Sequence, residues 1–202
     1  MVKYEGLDNA VIFDFETLSQ DQMNGVVVSM AMLTFSETRF IGDLAYTFDE
    51  LVKNTHLIKF NVEEQVKKFG RKIDKSTLEW WNKQGEFAKK QLAPSEEDVS
   101  ISELYQFFII NKRVNVKKVY TRGNTFDPII MEHILKQFDR PMPYEWWEVR
   151  DTRSLIEGLS WGTDLNNSFM PPNCESFIHH DPRHDIALDV MRMQTLVQAI
   201  NE

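Results

Sequence analysis

The sequence holds one cysteine, Cys174, so no disulfide can close within it, which suits a reducing compartment. Apolar runs are short: residues 107–110, among the longest, fall far below the ~20 residues a membrane helix needs. Residues 1–6 lack the apolar core of a secretory leader. The 8 glycines and 7 prolines gather into no linker, and no repeat or low-complexity tract interrupts the chain. Together these absences lead to the expectation of one cytoplasmic domain over residues 1–202 with no membrane attachment. Positive charge is also scarce, 23 Lys and Arg against 31 Asp and Glu, a net of −8. That balance argues against a tight, sequence-independent binder of duplex nucleic acid. Basic surpluses at residues 53–90 and 111–122 read either as solvated helix and turn faces or as a local phosphate-facing surface.

What is present is enough apolar material, 42% with 12% aromatic, to bury one substantial core. Residues 11–15 and 25–35 read as buried strands, and 39–48 as a third, which together suggest an antiparallel meander. Residues 61–69, 76–84 and 100–111 read as helices, the second with a capping box at Ser76 and Glu79. A strand at 116–121 leads through Arg122-Gly123-Asn124 to a helix at 127–138, with Pro128 placed where its missing N–H costs nothing. A strand at 148–151 and a helix at 152–159 follow. The last helix, from about residue 184, carries one apolar stripe of Ile186, Val190, Met193, Val197 and Ile200. Strands first, then strand–helix alternation, describe an α/β fold with a mixed β-sheet flanked by α-helices.

Three motifs carry chemistry. In Val11-Ile12-Phe13-Asp14-Phe15-Glu16-Thr17, period-two alternation puts Asp14 and Glu16 on one face and the phenylalanines on the other. Two carboxylates ~4 Å apart repel by about 4 kcal/mol at an effective dielectric near 20, so a cation, a proton or water must relieve them. An Asp-x-Glu triplet also arises about once by chance in so acidic a chain. Asp127, where a strand-turn gives way to a helix, can cap that helix, and one oxygen can do so while the other faces a metal. His179-His180-Asp181-Pro182-Arg183-His184-Asp185 is a dense cluster for a protein with five histidines. It reads as a polar loop in which Asp181 or Asp185 caps the last helix, or as part of a metal site. Zinc would need Cys or spaced His ligands that are missing elsewhere, whereas hard carboxylates suit Mg²⁺ or Mn²⁺.

In order and spacing, Asp-x-Glu on an early strand, Phe-Asp at a mid-chain helix start and His-x-x-x-x-Asp near the end resemble the DEDDh 3′→5′ exonuclease superfamily. With Ser76-Thr77-Leu78-Glu79-Trp80-Trp81, the stretch 93–100, Arg122-Gly123 and Arg150-Asp151-Thr152-Arg153, the chain resembles the branch containing the T-even-phage exonuclease A and related bacterial exoribonucleases. The similarity runs over residues 12–197. It implies a ribonuclease H-like fold and a two-metal site of Mg²⁺ or Mn²⁺ held by Asp14, Glu16, Asp127 and Asp185. It also implies His180 as general base, since only His180 stands five positions before Asp185. Single-stranded DNA or RNA 3′ ends are the implied substrate, nucleoside 5′-monophosphates the product, and a homodimer occurs among such relatives. The glycine that follows the first motif in many proofreading exonucleases is replaced by Leu18-Ser19. Thr17, Leu18, Trp80, Trp81, Arg122, Asn124 and Phe126 are candidate substrate contacts. For Trp80 and Trp81 core packing is the competing assignment, since aromatic–base stacking would use at most one of them. Phe15 is expected in the core, and Trp146 and Trp147 are assigned to packing. Asp189, one turn beyond Asp185, is expected in solvent, with a supporting contact behind the metal-binding acids as the alternative. The rival functions are a catalytically inactive ribonuclease H-like nucleic-acid-binding module and a phosphohydrolase acting on nucleotides or small phosphoesters.

Overall fold

A computed structural model describes residues 9–113 and 115–201; the expectation for residues 1–6 lies outside the described residues. The apolar run around the first acidic motif forms β1 (Ala10–Thr17), and the Val- and Met-rich stretch after it forms β2 (Val27–Phe35). The third strand is not residues 39–48. There a 3-10 turn at Glu37–Phe40 and an irregular stretch lead into α1 (Phe48–Asn54), and the strand is β3 (His56–Lys59). Apolar residues alternate through 39–48, but Thr47 accepts the N–H of Glu50 at 3.2 Å, and this cap turns the chain into a helix. The antiparallel meander survives with this later strand as its third member.

The chain continues through α2 (Val62–Phe69), α3 (Lys75–Trp81) and α4 (Glu86–Leu92), the last not foreseen. Helix α3 begins one residue before the anticipated Ser76 cap. Asp74 holds the cap position, and its carboxylate is engaged by the Ser19 hydroxyl at 2.6 Å and the Gln20 N–H at 3.2 Å. Then come α5 (Leu104–Asn111), β4 (Lys118–Thr121), α6 (Asp127–Gln137), β5 (Val149–Asp151), α7 (Thr152–Leu159) and α8 (Pro182–Asn201).

The sheet order is β3-β2-β1-β4-β5, and only β2 runs against the others. Because β1 is central, both its faces are buried. Ala10 and Ile12 pack with α8 residues such as Ile186 and Val190, while Val11, Phe13 and Phe15 pack with Phe108, Ile130 and Ile134 from α5 and α6. A smaller cluster of Leu18, Val26, Val28, Trp81 and Ala88 seats α3 and α4 beyond the end of β1. The basic residues of 53–90 mostly decorate helix surfaces, several in i,i+4 pairs such as Lys68–Glu64 at 2.9 Å. Trp146 and Trp147, assigned to packing from the sequence, are instead 80% and 56% exposed.

Candidate active site

The site forms where the sheet comes apart. Strand β1 pairs with β4 only from Ala10 to Ile12, and past Tyr120 the two strands diverge. At Arg122-Gly123 the chain turns away, with Gly123 at φ 115°, a backbone region that costs glycine nothing. The divergence leaves the C-terminal half of β1 without a strand partner on that side. Asp127 fills the vacancy: its Oδ1 accepts the N–H of Phe15 at 3.1 Å. Its carboxylate thus satisfies a strand amide across the gap, and Phe126, not Asp127, holds the α6 cap position. On the other edge of β1 the pairing with β2 slips by one residue between Glu16 and Thr17. Such a bulge re-aims the last side chains of a strand.

Asp14 and Glu16 do share a face, directed into a cleft of about 650 Å³ that also receives Asp127, His180, Asp185 and Phe126. Asp185 enters from the first turn of α8. That turn is tied down by Asp181, which accepts the N–H and guanidinium of Arg183 and the side-chain amide of Gln91 at 3.2 Å. One ligand atom each from Glu16, His180 and Asp185 lies within 4.8 Å of the others. His180 has φ 61°, a left-handed conformation that an L-residue keeps only when its surroundings fix it. Its ring stands edge-on to Trp80 at 4.7 Å and to Trp81 at 5.8 Å. His184 faces elsewhere: its ring packs against Phe48 at 5.5 Å, and its Nδ1 accepts the Ile178 N–H at 3.3 Å. His179 lines the cleft and rests on Phe177.

Burial, then the neighbouring Asp127, Glu16 and Asp185, holds the Asp14 carboxyl well above the usual carboxylate range. Glu16 is raised by burial first and by Asp185 and Asp127 next. Burial pushes Asp127 up to about 7 despite the N–H bonds it accepts, and Asp185 to about 7 with Asp189 and Asp181 adding to the rise. No hydrogen bond or ion pair from a described residue reaches the carboxylates of Asp14, Glu16 or Asp185. Buried, mutually repelling oxygen donors with no cationic side chain bonded to them fit a hard divalent ion. His180 is shifted the other way, down, by burial and then by His179.

The candidate substrate residues divide. Trp81 is core, its indole N–H donating to the Thr17 carbonyl at 2.9 Å, but Trp80 is 44% exposed. Phe15, Thr17, Trp80 and Phe126 wall a second hollow of about 390 Å³ that shares Phe15, Glu16 and Phe126 with the first. Phe15 is therefore both core and cleft wall. Leu18 packs into the small cluster under α3, and Asn124 faces a different groove beside Trp146. Arg122 lines the acidic cleft but is bonded to Asp189 at 2.6 Å. Asp189 corrects the assignment to solvent: it is 1% exposed and gathers Arg122, Arg192 and the Thr152 hydroxyl. An acid four residues after another acid was the signal for it; Arg153 stood in the resembling stretch 150–153 without a role assigned, and Arg192 at the cleft had no signal.

The model of the 3′-5′ exoribonuclease Rv2179c-like domain matches residues 9–196. The chain belongs to this family. It is a 3′→5′ exonuclease, consistent with 31% identity to an exodeoxyribonuclease of Enterobacteria phage T4 over 91% of the chain and 86% of the relative. Among solved structures it is similar to exonuclease I (TM-score 0.61, 11% identity, 96% of this chain and 42% of the other). It is also similar to the zinc-bound complex of the E. coli enzyme with single-stranded DNA (TM-score 0.57, 13% identity, 95% of this chain and 40% of the other). These neighbours fix the fold of the exoribonuclease-like chain as ribonuclease H-like. The chain spans about two-fifths of their length.

Proposed function

We propose that this family member is a single DEDDh-type domain that removes nucleoside 5′-monophosphates from single-stranded 3′ ends. In this reading Asp14, Glu16, Asp127 and Asp185 hold two divalent ions, Mg²⁺ or Mn²⁺, and His180 is the general base. The observation that carries it is the convergence of Glu16, His180 and Asp185 within 4.8 Å in a cleft also lined by Asp14 and Asp127. When bound, such ions supply electrostatic stabilisation of the charge that builds on the phosphate oxygens. The side chains do the rest. The lowered affinity of His180 for a proton leaves its imidazole neutral near pH 7, with a free ring nitrogen that can take a proton from the attacking water. Its fixed left-handed backbone and the two tryptophan edges aim that ring at the acids. The hollow between Trp80 and Phe126 opens from the acid cleft and suits the terminal base, because stacking on an aromatic face adds about 1–3 kcal/mol per base.

The family description names RNA and the phage relative DNA, so both sugars belong in the test. Matched 5′-labelled single strands are incubated with the protein and Mg²⁺ or Mn²⁺, beside Asp14→Ala and a chelator control. A descending ladder lost in both controls is the expected result. Intact strands with folded, metal-loaded protein would favour the inactive nucleic-acid-binding module instead.

A further inference from the structure

The cleft that holds the acids of β1 is also lined by three arginines: Arg122, Arg153 and Arg192. Two are bonded within the protein. Arg122 donates to Asp189 at 2.6 Å and to the Asn167 carbonyl at 3.0 Å. Arg192 donates to Asp189 at 2.9 Å and to the carbonyls of Phe169 at 2.8 Å and Ser168 at 3.2 Å. The remaining oxygen of Asp189 accepts the Thr152 hydroxyl at 2.5 Å, so one buried carboxylate ties the turn after β4 to α7 and α8. Arg153 differs. It follows Thr152 in the first turn of α7, is exposed at the cleft, and makes no hydrogen bond or ion pair with a described residue. The acid nearest in sequence, Asp151, is committed to the Ser154 N–H at 3.0 Å and the Asn124 N–H at 3.3 Å.

A chain of net charge −8 has many carboxylates to offer an arginine, yet this one stands free beside a cleft that must admit a polyanion. We infer that Arg153 binds a backbone phosphate of the single strand, and that Asp189 is a positioning residue that fixes, through Thr152, the turn presenting it. A guanidinium fork matches two phosphate oxygens, and one such contact per strand explains how an acidic protein holds its substrate. The inference rests on the exonuclease reading of the same cleft.

The test is equilibrium binding of a fluorescein-labelled single-stranded oligonucleotide, followed by anisotropy across a salt series with chelator present so that nothing is cut. Arg153→Ala is expected to weaken binding by about three- to tenfold, the range of one net hydrogen bond. It should also flatten the plot of log K against log salt by about 0.7, the share of one phosphate contact on a single strand. Arg153→Lys should keep the wild-type slope. With Mg²⁺ the Arg153→Ala chain should show the loss in KM, with kcat within about twofold of wild type. Thr152→Val, which cuts the tie to Asp189 but leaves both arginines paired, should flatten the slope in the same direction; an unchanged slope removes Asp189 from its role. Wild-type affinity and slope in Arg153→Ala, no measurable binding by the wild type, or a loss confined to kcat would overturn the proposal. Failure of the exonuclease reading looks different: wild-type protein with metal leaves the strand whole, a result the anisotropy arm does not depend on.

Discussion

At the scale of single residues, the acids of β1 and α8 were legible because alternation and motif spacing report which side chains share a face. Asp189 was legible only as an acid one turn beyond Asp185, since nothing in a sequence says that Arg122, from 67 positions earlier, will meet it. The two histidines show motif spacing at work. The five-position offset from Asp185 singled out His180, and the fold turns His180 toward Glu16 and His184 onto Phe48. His180→Ala is expected to lower kcat by about a hundred- to ten-thousand-fold, the usual worth of a general base, with the thermal midpoint nearly unchanged. Single-turnover kinetics beside a melting curve would check it; full metal-dependent activity would remove His180 from its role. Asp189→Asn should instead show in stability, losing about 3–5 kcal/mol by denaturant unfolding, because two arginines then lose their shared counter-charge.

At the scale of elements, most helices and strands were foreseen to within a few residues, and the two errors have separate local causes. The strand expected at 39–48 failed because a local cap at Thr47 outweighed alternation, and α4 was missed because its short run Glu86–Leu92 buries only Ala88. Neither the slipped register at Glu16 and Thr17 nor the parting of β1 from β4 could be read from the chain, since both depend on which strands become neighbours. The edge of β2 offers a test of such non-local satisfaction. Buried Gln65 of α2 accepts the Val27 N–H at 3.0 Å and donates to the Val27 carbonyl at 2.7 Å, completing the strand where β3 has ended. Gln65→Ala should cost about 1–3 kcal/mol for the backbone groups left unpaired, read as a lower urea midpoint with the same m-value.

At the scale of the whole molecule, the acidic cleft makes folding pH-dependent. Asp127 and Asp185 hold protons up to about 7, whereas the unfolded chain releases them near the ordinary aspartate value of 3.8. Unfolding therefore releases protons, and the metal-free protein should lose stability as pH rises from about 4 through about 7. His180 and His184, shifted down, act oppositely and destabilise as pH falls below about 6.5. Melting curves of chelated protein at stepped pH should show a falling midpoint above about pH 6. Asp127→Asn should flatten that fall, and a divalent ion should reverse it. Another consequence lies in where the cleft's parts come from. Asp14 sits on β1 and Asp185 on α8, so a loop spanning most of the chain must close before they meet. On dilution from urea, helical signal should return early and high-affinity manganese uptake last, which makes ion capture a clock for the final step of refolding.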